Sequence, residues 1–347
     1  MEFLYSPDER ELIEEAGRII KASLGIERFR EGDTAVSGWA RVGEAGWLHG
    51  MLAEEDGGAN LPLVLMAGIA REAGMVLAVE EFTNNAFLLP SLLRFVGDDD
   101  RDDWLASHLE RPGFIVADGR SRHVTADGYG TEQEIVAAPW SYGVWGDFDA
   151  YVLSPLAKEG CRLLRISDGL TDLQPIAQLG LGVGSVEVRD GVRSVTSLSV
   201  SDEDLSRVID GALVIHSAGL VGLAARALDE TSAYVKVREQ FGQPVGRFQA
   251  TKHRLADVYV RVEVAWNSVL YAALSCTRDD ISSARLKSID AAMAATKAMI
   301  QLLGGVGFTW EHDAHWFLKS ALAGSKRFGG RRDESFSLGQ GMVARST

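Results

Sequence analysis

The chain has 347 residues and a net charge of −14, with 49 acidic and 35 basic side chains. Apolar residues make up 46% and charged residues 24%, which is ordinary for a packed globular protein and excludes disorder over most of the chain. The length allows two or three domains of about 100–200 residues each. Because nucleic-acid binding favours a basic surface, we expect no nucleic-acid partner.

Cysteine usage and targeting signals indicate a reducing compartment. Cys161 and Cys276 lie far apart, which is neither a disulfide framework nor a metal cluster. The N-terminus lacks the basic and apolar regions of a secretory signal. Charged residues interrupt the longest apolar runs before about 18 residues, the length that spans a bilayer. We therefore expect a cytoplasmic protein with no membrane association.

The first part of the chain, residues 1–111, has helical patterning. Ser6 is a good N-cap, Pro7 suits the first turn, and Asp8 and Glu9 suit the positive end of a helix dipole. Apolar residues then recur at helical spacing over 12–20. This pattern predicts an N-terminal helical domain. Further helices are expected over residues 38–46, 61–73, 83–95 and 101–109.

The two remaining parts differ in character. Residues 112–201 are rich in glycine and β-branched residues, with short apolar runs between turns, which predicts a small antiparallel β domain. Residues 202–347 return to long amphipathic helices. The overall fold class is therefore α+β. Strands are expected at 114–116, 134–137, 151–153 and 162–166, and helices at 201–239 (interrupted near its start), 248–276, 282–303 and 315–326.

The segment from Arg238 to Gln249 stands out because a long helix must end there and restart. Gly242 and Pro244 predict the break, and a new helix is expected at about Phe248. A helix end that carries Arg238 and Phe241 to one point can meet a phosphate and the face of a flat ring. The alternative is a helical hairpin whose arginine pairs with an acid of a neighbouring element.

A second segment, residues 301–313, contains three glycines in four positions. With no side chains at Gly304, Gly305 and Gly307, a flat ligand or another backbone can approach closely. The alternative is an ordinary helix C-terminus.

Together the two segments resemble the C-terminal helical domain of the acyl-CoA dehydrogenase family. The motifs are Arg-x-x-Phe-Gly-x-Pro-x-Gly-x-Phe-Gln at 238–249 and, about fifty residues later, Gln-x-x-Gly-Gly-x-Gly-Phe at 301–308. Residues 46–58 are similar to the first helical domain of that family. The resemblance implies an N-terminal helical domain, a small antiparallel β domain and a C-terminal four-helix bundle that oligomerises. It also implies FAD, bound mainly by a neighbouring subunit and contacted by Arg238, Phe241, Gln249, Gln301, Leu302, Leu303, Gly304 and Gly305.

The family oxidises acyl-CoA thioesters at Cα–Cβ, and a glutamate removes the α proton while FAD accepts the β hydride. Such a base needs a desolvated carboxylate with a raised pKa. The two positions that carry the glutamate in family members hold Phe328 and Ala212 here, so no catalytic base is expected. Other acids near these positions are interpreted as structural, as exposed in a charged tail or as helix-start residues: Glu311, Asp333, Glu334, Asp210 and Glu203.

Other side chains leave alternatives open. Three aromatic residues of the middle part suit either a flavin face or the core of the β domain: Trp140, Tyr142 and Trp145. His312 and His315 lack further ligands at metal-binding spacing, so no metal site is expected. His216 suits a helical core, and His253 suits either a support for the turn or a substrate contact.

These features are similar to the short subunits of heterotetrameric acyl-CoA dehydrogenases of actinobacteria, which act on steroid side chains. The resemblance implies a homologous longer subunit that supplies the base and most of the flavin pocket. It further implies a bulky or sterol-derived acyl-CoA as substrate and electron-transfer flavoprotein as acceptor. Two other hypotheses remain: a homomeric dehydrogenase with a relocated base, and a flavin-free scaffold or binding protein.

Overall fold

The structure, a computed structural model, describes most of the helical parts and the strands of the middle part. The described residues are 5–27, 36–97, 101–102, 106, 113–118, 149–155, 161–166, 170–175, 184–188, 192–198, 200–328 and 330–346.

The N-terminal part is helical, as the sequence predicts. Ser6 Oγ accepts a hydrogen bond from the Glu9 N–H at 3.2 Å, and the Glu9 carboxylate accepts one from the Ser6 N–H at 2.7 Å. This reciprocal capping box starts the first helix, and it lowers the pKa of Glu9. The elements are α1 (Pro7–Ser23), α2 (Val36–Glu44), α3 (Leu63–Met75), α4 (Val79–Phe82), a π-helical turn (Thr83–Leu88) and α5 (Leu89–Leu93).

The middle part contains strands, which confirms the α+β class. Four strands form one sheet in the order β1-β2-β3-β6, and β4 pairs with β5. The predicted antiparallel pairing holds except for β1 and β2, which are parallel. The 30 residues between these two strands give the chain enough length for the crossover that parallel pairing requires. The strands are β1 (Gly113–Asp118), β2 (Asp149–Pro155), β3 (Cys161–Ile166), β4 (Leu170–Pro175), β5 (Gly184–Val188) and β6 (Val192–Leu198).

The C-terminal part contains long helices and differs from the prediction in three ways. The first helix is continuous from its N-terminus. The third helix begins four residues early because Thr277 caps it, accepting a hydrogen bond from the Asp280 N–H at 3.3 Å. The tail beyond residue 330 forms a helix that the four-helix prediction omits. The elements are α6 (Asp202–Val237), β7 (Glu239–Gln240), β8 (Gln243–Pro244), α7 (Gln249–Ser275), α8 (Arg278–Leu303), α9 (Ala314–Gly324) and α10 (Arg331–Ser346).

The chain divides into two compact units, and the three-domain division stays a prediction. One unit contains residues 22–62 and 80–212, and the other contains 1–21, 63–79 and 213–347. In the second unit, α3 and α6 cross with their backbones in contact. A Cβ at Gly74 would lie 1.9 Å from the Gly219 carbonyl oxygen, and one at Gly222 would lie 1.9 Å from the Arg71 carbonyl oxygen. Only glycine fits at these two positions.

Two described helices are long and apolar enough to cross a membrane by length and composition. They are α6 and the stretch from Arg278 to Phe308, whose most apolar windows are 83% and 50% buried inside the protein. Core helices of water-soluble proteins meet the same criterion, and most of the apolar window of α6 is buried inside the protein.

Candidate functional site

The first candidate segment forms a tight hairpin at the end of α6. β7 pairs with β8, and the two residues between them, Phe241 and Gly242, have φ values of 53° and 77°. Positive φ at both central positions is typical of a type I′ turn, which glycine tolerates and phenylalanine adopts at a cost. The Val245 N–H donates to the Arg238 carbonyl at 2.7 Å and closes the hairpin. The sequence predicted the break but not this turn.

The hairpin projects its side chains outward. Phe241 is 93% exposed, and its ring meets that of Phe248 edge to face at 6.2 Å. Arg238 is exposed and makes no ion pair with any residue that the structure describes. The alternative in which this arginine pairs with a neighbouring acid is therefore not what the structure contains. Gly246 lies close to α6, where an added Cβ would be 2.9 Å from the Val235 carbonyl oxygen.

The second candidate segment follows α8. Gly304 has a φ of 64° and ends the helix, and residues 304–308 form a 3-10 turn. An added Cβ at Gly304 or Gly305 would meet nothing within 4 Å, so both glycines face open space. Gln301 is exposed and Leu302 half-buried, whereas Leu303 is buried and can offer only its backbone to a ligand. Val306 and Phe308 add exposed apolar surface.

The fold brings both segments to one end of a helical hairpin. α7 and α8 have 27 and 26 residues, each about 40 Å long at 1.5 Å per residue. They pack along each other and are joined by only Cys276 and Thr277, so they run antiparallel. The start of α7, with Gln249, therefore lies at the same end as Gln301 and the glycine turn. This end combines a free guanidinium, an exposed phenyl ring and open backbone.

The two expected base positions carry no acid. Ala212 is fully buried within α6 and presents a methyl group. Phe328 has a φ of 56°, lies edge to face with the His216 ring at 5.6 Å, and has the Arg327 guanidinium 4.9 Å from its centroid. Neither side chain can accept a proton.

A buried polar network lies beside Phe328. Arg285, fully buried, donates to His216 Nδ1 at 3.0 Å, so the neutral ring carries its proton on Nε2. Glu334 is 2% exposed; its carboxylate lies 3.8 Å from Arg285 Nε and accepts from Ser282 Oγ at 2.9 Å and from Arg278 at 3.2 Å. The exposed position that the sequence suggested for Glu334 is wrong, because α10 packs this carboxylate against α8.

Arg285 also holds the chain that leads to Phe328. Its guanidinium donates to the carbonyl of Gly324 at 3.4 Å and to that of Arg327. His216 is thus a hydrogen-bonded core residue, as the sequence favoured, and the polar partners of Arg285 named here come from three segments: α6, the end of α9 with the turn after it, and α10. The network is structural, since each charged group in it is matched to a partner.

The remaining acids and histidines stay outside this constellation. Glu311 and His253 are exposed, and Glu203 pairs with Arg207 in the first turn of α6. Asp210 lies in the third turn, so its interpretation as a helix-start acid is wrong. The described residues contain no group of three metal-ligating side chains. The positions of Trp140, Tyr142, Trp145 and Asp333 fall among the residues or side chains that the structure does not describe.

An aromatic cluster beside the glycine turn was not predicted. The Lys319 ammonium lies 4.5 Å from the Trp310 ring centroid and 4.8 Å from that of Trp316, and the His315 ring packs against both tryptophans. Burial lowers the pKa of Lys319, and burial followed by the Lys319 charge lowers that of His315. The i, i+4 spacing of residues 315 and 319 was the available signal.

Comparison with known proteins agrees with this architecture. Residues 210–330 match the family model described as acyl-CoA dehydrogenase, C-terminal domain. Acyl-CoA dehydrogenase FadE34 of Mycobacterium tuberculosis is 45% identical over 147 residues, which cover 39% of this chain and 20% of that protein. The chain spans 20–40% of the length of the first three curated relatives that it matches.

Solved structures that are similar to this protein cover nearly the whole chain, including the following two. A chain of the ChsE4-ChsE5 complex from Mycobacterium tuberculosis superposes on this protein with a TM-score of 0.78 at 20% identity, and the match covers 99% of this chain and 99% of that chain. A variant of the Tcur3481-Tcur3483 steroid ACAD gives 0.75 at 21% identity, covering 98% of both chains.

The helical parts, the strands between them and the paired motifs therefore define a protein with the acyl-CoA dehydrogenase fold. Residues 210–330 in addition match the C-terminal domain model of the acyl-CoA dehydrogenase family.

Proposed function

We propose that this chain is the non-catalytic subunit of a heteromeric, FAD-dependent acyl-CoA dehydrogenase, and that it completes the FAD site of a longer catalytic partner. One observation carries the proposal. The chain keeps an open, exposed cofactor-type surface at the end of α7 and α8, while both base positions are filled by Phe328 and Ala212.

The residues at this end fit FAD. The exposed Arg238 guanidinium is a bidentate donor suited to the anionic pyrophosphate, and no described acid competes for it. Gly304 and Gly305 leave room for a flat ring at the backbone, and Phe241 and Gln249 offer an apolar face and an amide. When bound, FAD supplies the acceptor for the hydride of the reaction. Because all these groups are exposed in the single chain, they suit a cofactor that a second chain covers.

A second exposed surface of the chain favours assembly with another chain. The outer face of α7 exposes large apolar side chains at Val260, Val264, Tyr271 and Leu274, each more than 45% exposed. A row of this kind exceeds what an isolated chain leaves in water, and it favours association through the long helices. We infer that the partner is a homologous longer acyl-CoA dehydrogenase chain in a heterotetramer.

The substrate class is inferred from the neighbours. One structural neighbour is described as a complex of two different chains and another as a steroid ACAD. We infer a bulky or sterol-derived acyl-CoA as substrate, α,β-desaturation as the reaction, and electron-transfer flavoprotein as acceptor. The cytoplasm is the inferred compartment.

The test is co-purification with the product of the neighbouring acyl-CoA dehydrogenase gene, followed by a flavin count per chain. A chain that is colourless alone and yellow with its partner supports the proposal. A yellow homomer would favour a homomeric dehydrogenase with a relocated base. A chain that is colourless with every partner would favour a flavin-free scaffold.

Arg238→Ala tests the cofactor contact in the assembled complex. Each charge-assisted hydrogen bond contributes about 1.5–3 kcal/mol, so flavin retention should weaken about tenfold or more. Arg238→Lys should rescue poorly because a point charge lacks the guanidinium fork. Arg247→Ala is the matched control, since Arg247 is exposed on the 3-10 turn that follows the same hairpin. Unchanged flavin content in Arg238→Ala would overturn the assignment.

A further inference from the structure

A groove between α7 and α8 carries positive charge that the cofactor site does not use. It has a volume of about 380 Å³, and its rim carries Arg254, Arg261 and Lys297 with the single acid Asp257. Arg254 and Arg261 are seven residues apart, two turns along the same face of α7, and Lys297 faces them from α8. All four rim residues are exposed.

The rim cations have no ionic partners among the residues that the structure describes. Arg254, Arg261 and Lys297 make no ion pair, although Asp257 is within one turn of both arginines in sequence. Other arginines of the chain do pair on their own helices, as Arg207 with Glu203 and Arg226 with Glu230. The chain as a whole has 49 acidic against 35 basic side chains, so three unpaired cations around one acid give the groove a charge opposite to that of the whole chain.

The floor of the groove is apolar and continues into the exposed face of α7. Val258 is buried and Met293 half-buried beneath the rim, and Val260 and Val264 follow on the outer side of the helix. Apolar side chains surrounded by charged ones have the composition of a protein–protein interface, in which the apolar centre supplies affinity and the charged rim selects the partner.

Charge complementarity identifies the occupant. If two copies of this chain associated through their α7–α8 faces, the symmetry of the interface would place the same cationic surface on both sides. Like charges brought together in this way cost several kcal/mol and suppress the wrong partner. An acidic helix would instead be attracted to the three cations of the groove.

We propose that this basic groove docks an acidic helix of the longer partner subunit, and that it thereby favours the heteromer over a homomer. The proposal rests on the proposed function, which supplies the partner. It assigns the choice of partner to Arg254, Arg261 and Lys297, and the bulk of the affinity to the neighbouring apolar side chains.

The experiment compares affinity for the co-expressed longer subunit between wild type and Arg254→Glu/Arg261→Glu, by sedimentation of the complete chains at about 50 mM salt. The double variant should bind at least about 100-fold more weakly. Raising the salt concentration should weaken partner binding by the wild type and narrow the difference in affinity between wild type and double variant, because screening acts on exposed charges. Arg41→Glu/Arg332→Glu is the matched control, with the same change in charge at exposed positions outside the groove.

Lys297→Glu is a second variant; it changes the opposite wall of the groove, which α8 forms, and it leaves α7 unchanged. It should weaken binding about tenfold, and circular dichroism should show an unchanged fold in both variants. Partner affinity that is unchanged in folded variants, or equally lost in the control, overturns the groove assignment and leaves the proposed function standing. If the wild-type chain takes no longer partner and associates only with itself, both proposals fail.

Discussion

Glu334→Gln tests the buried network beside Phe328. The substitution keeps the shape of a side chain that is 2% exposed and removes its charge. Arg285, fully buried with its Nε 3.8 Å from this carboxylate, then loses its counter-charge, and Ser282 Oγ loses a charged acceptor. The perturbation is therefore electrostatic and local.

The expected cost can be worked out from the contacts. Breaking a buried ion pair by removing one partner costs about 3–5 kcal/mol. His216 Nδ1 and two backbone carbonyls still accept from Arg285, which places the loss near the lower end, at about 3 kcal/mol. The Arg278 contact adds little, because the side chain of that arginine is 43% exposed.

Urea unfolding at pH 7 measures the loss, with Glu311→Gln as an exposed control that should change stability by less than about 0.5 kcal/mol. The double variant Arg285→Met/Glu334→Gln should lose less than the sum of the two single variants, because it removes both charges together. A loss below about 1 kcal/mol in Glu334→Gln, or strict additivity of the two single variants, would be incompatible with a buried ion pair between Arg285 and Glu334.

The same variant tests the absence of a base. Turnover per bound flavin in the assembled enzyme should stay within about tenfold in Glu334→Gln and Glu311→Gln, because loss of a general base costs roughly 10²–10⁴-fold. A collapse of turnover with flavin still bound would show that this chain carries its own base.

Two further predictions concern stability. Burial raises the pKa of Glu72; the charge of Glu14 adds to this effect, while Arg71 and Lys21 oppose it. The folded state therefore favours the protonated acid. The contribution of Glu72 to folding stability is present at low pH and is lost as pH rises through the folded-state pKa. Glu72→Gln should accordingly be more stable than wild type at pH 8 and equal to it near pH 4 in thermal melts, and an equal difference at both pH values would contradict this. Gly74→Ala should destabilise the protein by several kcal/mol, because the added Cβ would lie 1.9 Å from backbone. Gly339→Ala, whose Cβ would meet nothing within 4 Å, should stabilise it by about 0.5–1 kcal/mol. Equal urea midpoints for the two variants would be inconsistent with the crossing of α3 and α6.

Local signals in the sequence were sufficient for much of the fold. The N-cap at Ser6 and the helical spacing after it predicted α1, and the break at Gly242 and Pro244 predicted the end of α6 to within a few residues. These features depend on neighbours within one or two turns, so pattern alone can find them.

Features that depend on distant partners were missed. α10 contains Gly339 and Gly341 and has a weak apolar face, so its propensity predicts no helix; it forms against α8, where Glu334 meets Arg278, Ser282 and Arg285. Likewise, β1 and β2 pair in parallel, and the patterning of a strand does not reveal the direction of the strand it will pair with.

The sequence named candidate site residues, which stay a prediction as a binding site, but it did not reveal how the fold places them. The motifs named Arg238, Gln249 and the glycines, while the type I′ turn at Phe241 and the antiparallel packing that brings both segments to one end required the structure. The groove around Arg254 and Lys297 also could be found only from the structure, because its two walls are about forty residues apart in sequence.

The exposed apolar row on α7 has a consequence for the abundance of this protein in the cell. In the proposed heteromer, a copy made in excess of its partner would present Val260, Val264, Tyr271 and Leu274 to chaperones and proteases, which recognise such surface. Unmatched copies would be removed, and the amount of this subunit would be set by the supply of the chain that covers it. Synthesis of the two chains from neighbouring genes, in fixed proportion, would limit that loss.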